Sequence, residues 1–163
     1  MSGPGYAVRV AEDPADREAC FAVRKEVFVG EQGVPEDLEY DVYDAGAVHV
    51  LAVREDGVPL GTGRLLVGEA AVAQTGADAS VGSLGRLAVA AHARGLGVGA
   101  ALVRAIEDAA RARGLAAVDL HAQTHALGFY ERLGYAAYGP EYLEAGIPHQ
   151  GMRRALRPAA ASA

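Results

Sequence analysis

A chain of 163 residues, of which 51% are hydrophobic and 22% charged, has the composition of a single globular domain that can bury a sizeable core. The net charge of −6 argues against nucleic acid as a partner, because phosphate binding needs a basic surface, and it suits a cationic substrate. Because no segment approaches the ~20 apolar residues of a membrane helix and the N-terminus does not resemble a signal peptide, we expect no membrane association and a cytoplasmic location.

The first half of the chain predicts a strand, a helix and an antiparallel hairpin. Asp13-Pro14 is typical of a helix start, since aspartate caps the first turn and proline suits its first position. Glu55-Asp56-Gly57 has the turn chemistry of a hairpin. The predicted segments are a strand over 6–10, a helix over 15–29, an irregular loop or short helix over 30–44, strands over 48–54 and 60–67, and a surface connection over 68–82.

The second half predicts a strand–helix–strand unit, a short helix and a terminal hairpin. Its central helix, over 97–113, has the clearest apolar stripe in the chain, and the crossover should be parallel and right-handed. The other predicted segments are strands over 84–89 and 117–122, a short helix over 126–133, a last hairpin of 135–138 and 150–154 around a long loop, and a disordered tail over 158–163. No repeat or linker divides the chain, so residues 1–157 are expected to form one α/β domain with helices packed on a mixed sheet.

Three alternating glycines, Gly95, Gly97 and Gly99, lie between the strand ending at Val89 and the central helix. Glycine lets the backbone turn tightly and approach a ligand closely. The helix N-terminus adds unpaired N–H donors and a partial positive charge, and Arg94 adds a full charge at the edge. This combination predicts a phosphate or pyrophosphate site, although the same glycines would also permit a sharp turn and close helix–sheet packing.

Two other phosphate-binding motifs fit this loop less well. A P-loop needs Gly-Lys-Ser/Thr, and no lysine follows the glycines. A dinucleotide fold gains support from Asp119, about 20 residues beyond the glycines, where a ribose-binding acid is expected. Several features count against a dinucleotide fold: the glycine spacing, the distance from the strand to the first glycine, the preceding hairpin and the short remainder of the chain. The dinucleotide fold therefore ranks a distant second.

Two linked segments carry a family resemblance. Residues 84–102 contain Gln/Arg-x-x-Gly-x-Gly/Ala, filled by Arg94, Gly97 and Gly99, and residues 126–135 follow with Phe129-Tyr130 inside them. Together they resemble motifs A and B of the GNAT superfamily of N-acyltransferases. The runs 23–35 and 145–152 are similar to a small bacterial branch often called ElaA-like. The resemblance implies the GNAT fold, with a mixed, mostly antiparallel sheet flanked by helices.

The same resemblance implies acetyl-CoA as the cosubstrate. Backbone amides of the glycine loop would hold its pyrophosphate, and the exposed backbone of the preceding strand would pair with the pantetheine arm like an added strand. Gln123 stands where the family often has asparagine and can still contact pantetheine. The implied cofactor-binding residues are Leu87, Ala88, Val89, Arg94, Gly95, Leu96, Gly97, Val98, Gly99, Ala100, Gln123 and Phe129.

For catalysis, the resemblance implies that Tyr130 protonates the departing CoA thiolate, since a phenol with a reference pKa near 10 is protonated at pH 7. The alternative for Tyr130 is an ordinary core aromatic. An N–H near Val89 would stabilise the oxyanion. The strand over 84–89 lacks the acidic residue that many members use as general base, so the base must come from elsewhere or act through water. Glu31 and His149, in the branch-specific runs, are the selected candidates; His49 and His121 are further ones.

These residues predict an N-acetyltransferase that moves the acetyl group of acetyl-CoA to a primary amine of a small molecule or peptide, by direct attack in a ternary complex. His121 and His125 do not share an element, so no metal site is predicted. Because the strand lacks an acid, a non-catalytic acyl-CoA-binding or regulatory module is the alternative, with a dinucleotide-binding protein third. Many family members dimerise, and the sequence neither requires nor excludes a homodimer.

Overall fold

The computed structural model describes residues 5–156, apart from the side chains of residues 37 and 38, so the predicted tail over 158–163 lies outside it. One sheet of seven strands has the order β1-β2-β3-β4-β5-β7-β6. Only the β4–β5 pair is parallel, which confirms a mixed, mostly antiparallel sheet. The strands are β1 (Tyr6–Val10), β2 (Val48–Arg54), β3 (Pro59–Leu66), β4 (Val81–Val89), β5 (Ala117–Gln123), β6 (Ala136–Glu144) and β7 (Ile147–Ala155).

Within residues 5–156, five α-helices flank the sheet: α1 (Pro14–Arg24), α2 (Glu36–Glu39), α3 (Gly68–Thr75), α4 (Val98–Ala112) and α5 (Leu127–Arg132). The predicted start of α1 is confirmed, because the Asp13 side chain accepts a hydrogen bond from the Asp16 amide at 2.8 Å. The helix then continues as a π-helical segment, Lys25–Glu31. Short 3-10 turns cover Asp44–Gly46, Ala91–Ala93 and Thr124–Ala126.

The main core lies between α4 and one face of the sheet. Leu102, Val103 and Ile106 are fully buried there, and burying each such side chain contributes about 1.5–3 kcal/mol. The close packing of α4 requires glycine on β3, since a Cβ at Gly61 would lie 2.9 Å from the Leu102 Cδ1 atom. On the opposite face α1 packs against β2, β3 and β4.

Two predicted segments differ from the structure. The connection over 68–82 contains α3, which ends at Gly76 with a φ of +68°, a left-handed conformation that glycine adopts without strain. The last hairpin has long strands and a turn of two residues, Ala145 (φ +53°) and Gly146 (φ +78°), in place of a long loop. Turns of this shape favour asparagine or glycine first, so the predicted hairpin is present but alanine hid its tight turn in the sequence. Among residues 5–156, no helix combines the length and apolarity needed to cross a membrane.

Candidate active site

The parallel strands β4 and β5 separate soon after they meet. They pair only where Val81–Ser83 faces Ala117–Asp119. β4 then continues to Val89 along β3, and β5 continues to Gln123 along β7. The facing edges of the two strands therefore diverge into an opening, here called the β4–β5 gap, whose β4 wall includes Leu87, Ala88 and Val89. Unpaired strand edges can accept an extended ligand as an added strand.

A β-bulge shapes the β4 wall of this gap. Thr62 faces Ala88 while Arg64 faces Gly85, so β4 carries one extra residue between them. Arg86 lies in this bulge with a φ of +51°, a left-handed conformation that costs a non-glycine residue about 1–2 kcal/mol. Its guanidinium Nε donates to the Glu39 carbonyl at 3.0 Å, which helps to hold the strained backbone. A bulge redirects the backbone groups that follow it, and those groups line the gap.

The glycine loop lies where β4 ends and α4 begins. Gly95 and Gly97 have φ values of +84° and +79°, so their backbone conformation requires glycine. Gly99 is needed for a different reason, because a Cβ there would lie 3.3 Å from the Phe129 Cζ atom. No side chain caps the N-terminus of α4, and the first-turn amides of Val98, Gly99 and Ala100 are thus not bonded to a capping side chain. Leu96 is 58% exposed at the tip of the loop.

Arg94 is held at the edge of this loop by two groups. Its Nε donates to the Val89 carbonyl at 3.1 Å, and its two terminal nitrogens donate to the Glu31 carboxylate at 3.0 and 2.8 Å. The guanidinium is therefore oriented, and it keeps further N–H groups for a ligand. Glu31, chosen from the sequence as a base, is placed as the ionic partner of Arg94. Its role in proton transfer stays a prediction.

The loop conformation leads to a prediction at Gly97. Gly97→Ala should destabilise the fold by about 1 kcal/mol and weaken binding of the acetyl-CoA that the resemblance implies at least tenfold, because alanine disfavours a φ of +79° and displaces the amides beside it. Gly76→Ala is the matched control: its φ is +68°, no atom would crowd the new Cβ, and it lies at the far end of α3. Urea unfolding and calorimetric titration measure the two effects. Equal acetyl-CoA affinities in both variants would contradict a role for the loop.

Tyr130 and Phe129 lie together on α5, with ring centroids 4.9 Å apart in an edge-on contact. Tyr130 is only 8% exposed, and burial raises the pKa of its phenol to about 12. Its hydroxyl therefore stays protonated at any practical assay pH. Gln123 ends β5, and its Oε1 accepts a hydrogen bond from the His125 Nε2 at 2.7 Å. The amide nitrogen of Gln123 is left to contact another group.

Two of the three histidine candidates, His149 and His49, differ in access. His149, on β7, donates from Nδ1 to the Ile147 carbonyl at 2.7 Å, and its Nε2 lies 3.8 Å from a Glu144 carboxylate oxygen. It stays a predicted base. His49 is fully buried in β2, where Nε2 lies 2.9 Å from the Asp44 carbonyl, and burial lowers its pKa. A neutral ring inside the core is not placed to receive a substrate proton.

A buried charge cluster was missed by the sequence analysis. Arg24 is fully buried and binds the Asp44 carboxylate through two nitrogens, at 2.7 and 3.0 Å, and Glu39 through Nε at 2.5 Å. Arg64 donates to Asp44 at 3.1 Å and to Asp41 at 2.7 Å, and the Arg86 of the bulge reaches Asp41 at 3.1 Å. This Arg24 cluster ties the segment after α1 to β3 and β4. The sequence contained one signal of this burial: Arg24 lies four residues after Cys20 on one helix, so both residues share the buried face.

The Arg24 cluster predicts a loss of stability in acid. Burial by itself raises the pKa of Asp44, but hydrogen bonds from Arg24 and the Asp41 amide, with the charges of Arg24 and Arg64, lower it to about 2. The folded pKa is below the unfolded value near 3.9, so this contribution, about 2 kcal/mol, is present above pH ~4 and lost as pH falls to ~2. Urea unfolding of the wild type and Asp44→Asn across that range measures it. Parallel pH dependences in the two proteins would refute it.

Asp119 is not placed for the ribose of a dinucleotide. It is fully buried, and its Oδ2 accepts hydrogen bonds from the Tyr138 hydroxyl at 2.6 Å and the Arg153 Nε at 3.0 Å. Within residues 5–156, no three His, Cys, Asp or Glu side chains are grouped to hold a metal ion. The predicted phosphate site therefore remains the glycine loop, beside the β4–β5 gap.

A mixed sheet whose one parallel strand pair opens beside a glycine-rich helix N-terminus defines the class of acyl-CoA-dependent acyltransferases. A family model described as "Acetyltransferase (GNAT) domain" matches residues 10–156. The chain belongs to the GNAT family of N-acyltransferases and uses acyl-CoA as its cosubstrate. Members of this family transfer acyl groups to amines of small molecules or peptides.

Individual relatives support the same family. A Bacillus subtilis (strain 168) protein named as an acetyltransferase is 38% identical over 137 residues, covering 82% of this chain and 86% of the relative. An acyl-CoA N-acyltransferase from Pseudomonas aeruginosa superposes with a TM-score of 0.74 at 32% identity, covering 91% of this chain and 98% of that one. Escherichia coli ElaA superposes with a TM-score of 0.75 at 26% identity, covering 91% and 97%. The resemblance to the ElaA-like branch is thereby confirmed.

Proposed function

We propose that the protein is an N-acetyltransferase that transfers the acetyl group of acetyl-CoA to a primary amine by direct attack in a ternary complex. The observation that carries this proposal is the β4–β5 gap, which runs from the glycine loop along β4; on α5, Phe129 packs against Gly99 of the loop and against the Tyr130 ring. An open strand edge, an anion-binding helix end and a protonated phenol are the three groups that a thioester donor needs.

The proposed donor occupies the site from the loop inward. Amides of residues 95–100 bind the pyrophosphate, while Arg94 adds a charge-assisted contact. Backbone groups of Leu87, Ala88 and Val89 pair with the pantetheine arm, and the Gln123 amide contacts it from β5. Phe129 packs against Gly99 and thereby supports the loop. Tyr130 then hydrogen-bonds the thioester sulfur and gives it a proton as it departs.

Direct transfer is favoured by the position of the single cysteine. Cys20 is fully buried on α1, its Sγ lies 3.6 Å from the Val50 carbonyl, and burial raises the pKa of its thiol. A thiol in this state cannot serve as a covalent acyl carrier. The acceptor amine therefore attacks the thioester itself, with both substrates bound.

The test combines binding with turnover. Calorimetric titration with acetyl-CoA is followed by a screen over polyamines, amino acids, aminoglycosides and lysine peptides, with detection of released thiol and of the acetylated product by mass spectrometry. Binding together with amine-dependent thiol release is the expected result. Binding with no thiol release on any amine would favour an acyl-CoA-binding module instead. Binding of NADH with no response to CoA would overturn the proposal.

A further inference from the structure

A group of polar and aromatic side chains lies on one face of β5, β7 and β6, beside the narrow end of the β4–β5 gap. Strand register places them together: Asp119 faces Arg153, His121 and Tyr138 face Gly151, and Tyr142 faces His149. The opposite face of β5 and β7 is buried in the core that also contains α4. An acceptor can therefore approach the narrow end from the face that carries this group, here called the β5–β6 cluster: Asp119, His121, Tyr138, Tyr142, His149 and Arg153.

Asp119 is the buried charge of the β5–β6 cluster. Its Oδ2 is saturated by the Tyr138 hydroxyl at 2.6 Å and by Arg153, whose Nε and Nη2 lie at 3.0 and 2.9 Å. Its Oδ1 is buried and has no hydrogen bond within residues 5–156. The nitrogen that faces this oxygen is Nε2 of His121, at 3.5 Å. The arrangement depends on Gly151, because a Cβ there would lie 2.6 Å from Cζ of the Tyr138 ring.

The Asp119 carboxylate favours one tautomer of His121, because its unpaired oxygen faces Nε2. A neutral ring with Nε2 facing Asp119 carries its proton on Nε2, so Nδ1 has the free lone pair. The Tyr142 hydroxyl lies 2.7 Å from Nδ1 and donates to it. Tyr142 is 37% exposed, and burial of the rest of its ring, followed by the charges of Glu144 and Asp119, raises the pKa of its phenol. The chain Asp119–His121–Tyr142 thus leads from a buried charge to an accessible hydroxyl.

This chain of groups lies where β4 lacks an acidic residue. Pairing of the two parallel strands ends at Ser83 and Asp119, and the next residues on the same face are Gly85 and His121. The atom nearest to a Cβ at Gly85 would be Arg64 Nη2, at 4.0 Å, so the space beside Gly85 is open, and the His121 side chain is 33% exposed. From Val89 to Gly85 a strand spans about 13 Å. A pantetheine arm that follows β4 inward from the loop therefore brings its thioester toward His121 and Tyr142.

We propose that Asp119, His121 and Tyr142 form the proton-accepting relay of the acyl transfer, with Tyr142 as the catalytic residue at the acceptor and the other two acting through it. The inference rests on the proposed function. The acceptor ammonium gives a proton to the Tyr142 oxygen while the Tyr142 hydroxyl proton moves to His121 Nδ1. The imidazolium that forms is stabilised by the Asp119 carboxylate.

The remaining steps balance without another reactant. The neutral amine nitrogen forms a bond to the thioester carbonyl carbon, and the carbon–sulfur bond breaks. The nitrogen loses its second proton and the departing sulfur gains one, so amide and free CoA thiol result. The His121 imidazolium then releases its proton to solvent. Each turnover therefore liberates one proton from the original ammonium.

The test uses His121→Gln and Tyr142→Phe in the full chain, with an acceptor found in the amine screen. Each variant is expected to lower kcat about 100-fold at pH 7.5, with the acetyl-CoA Kd changed less than twofold. Without the relay only free amine reacts, so kcat/KM should rise tenfold per pH unit up to the acceptor pKa. The difference in kcat/KM between each variant and the wild type should then fall below threefold near pH 10. A purely structural role would leave the shape of the wild-type profile unchanged.

Two exposed residues supply matched controls. His92→Gln and Tyr40→Phe make the same chemical changes away from the β5–β6 cluster and should keep wild-type kcat and pH profile. Glu31→Gln and His149→Gln test the competing bases. A variant of either one that shows the steep profile, while His121→Gln does not, would overturn the relay. The pH dependence of kcat/KM also reflects the titratable and charged groups around His121. These are Asp119, Tyr138, Tyr142, His149, Glu144 and Arg153.

A second measurement does not depend on turnover. Nitrogen-15 NMR of the histidine rings in the wild type should show neutral His121 protonated on Nε2, with the tautomer lost in Asp119→Asn. A His121 ring protonated on Nδ1 would overturn the relay even if every assay for activity were negative. Conversely, an active wild type with an unaffected His121→Gln variant would disprove the relay and leave the transferase function standing. A wild type that binds acetyl-CoA but turns over no amine would count against the function instead.

Discussion

Replacing Tyr130 by phenylalanine should lower kcat about 100-fold while leaving acetyl-CoA affinity nearly unchanged. The substitution removes one oxygen and keeps the ring that packs edge-on against Phe129, so the loop and the gap retain their shape. In the proposed mechanism the substitution removes the proton donor to the departing sulfur, and general acid catalysis typically contributes 10²- to 10⁴-fold. Because burial raises the pKa of Tyr130 to about 12, wild-type activity should also show no decline from ionisation of this group below pH 10.

Tyr135→Phe is the matched control for that variant. Tyr135 is a buried neighbour whose ring centroid lies 6.0 Å from that of Tyr130, and its hydroxyl donates to Glu107 at 2.8 Å. Loss of this hydroxyl should lower the free energy of unfolding by about 1–3 kcal/mol and leave kcat intact. Stopped assays of thiol release, with calorimetric titration of acetyl-CoA, compare the two variants. Loss of CoA binding in Tyr130→Phe with an intact turnover step would contradict the acid role.

Arg24→Met should lower the free energy of unfolding by about 3–5 kcal/mol at pH 7. The arginine is fully buried, and its removal leaves the carboxylates of Asp44 and Glu39 in the core without their main partner. Adding Asp44→Asn to this variant should recover part of the loss, because one stranded charge is removed. The defect should also shrink as pH falls, because without Arg24 the pKa of buried Asp44 rises above its wild-type value and protonation removes its charge.

The surface pair of Arg9 and Asp16 is the control for that prediction. Arg9 also makes two hydrogen bonds to a carboxylate, at 2.7 and 2.9 Å, but its side chain is 52% exposed. Arg9→Met should therefore change the free energy of unfolding much less than Arg24→Met does. Urea unfolding monitored by circular dichroism provides both values. If Arg9→Met and Arg24→Met lowered the free energy of unfolding equally, burial of the Arg24 cluster would not increase its contribution to stability.

The Arg24 cluster also bears on the site, because it holds the strained bulge of β4. Arg86 contacts the Glu39 carbonyl and Asp41, and both of these are connected to Arg24 through the cluster. The segment after α1 is thereby fastened to the wall of the gap. Its sequence indicated only an acidic, turn-rich loop, since nothing in the local pattern shows which distant arginines balance those acids.

Local chemistry made a large part of this protein predictable from sequence. Asp13-Pro14 starts α1, the apolar stripe of α4 faces the sheet, and Gly95 and Gly97 adopt the left-handed conformations that only glycine takes easily. Each of these outcomes depends on interactions within a few residues of the chain. The spacing of Arg94, Gly97 and Gly99, together with Tyr130 downstream, was sufficient to identify the family.

Tertiary structure alone decided which polar residues became partners. Glu107 sits on α4 among charges that suggested an exposed face, yet it is fully buried and bound by Arg154 at 2.6 Å. Asp119, His121 and Tyr142 meet only because β5, β7 and β6 pair in one register. That register depends on the turn of Ala145 and Gly146, which the sequence pattern did not predict. Buried charges and proton relays need partners from distant segments, and a sequence read locally contains the groups without the distances between them.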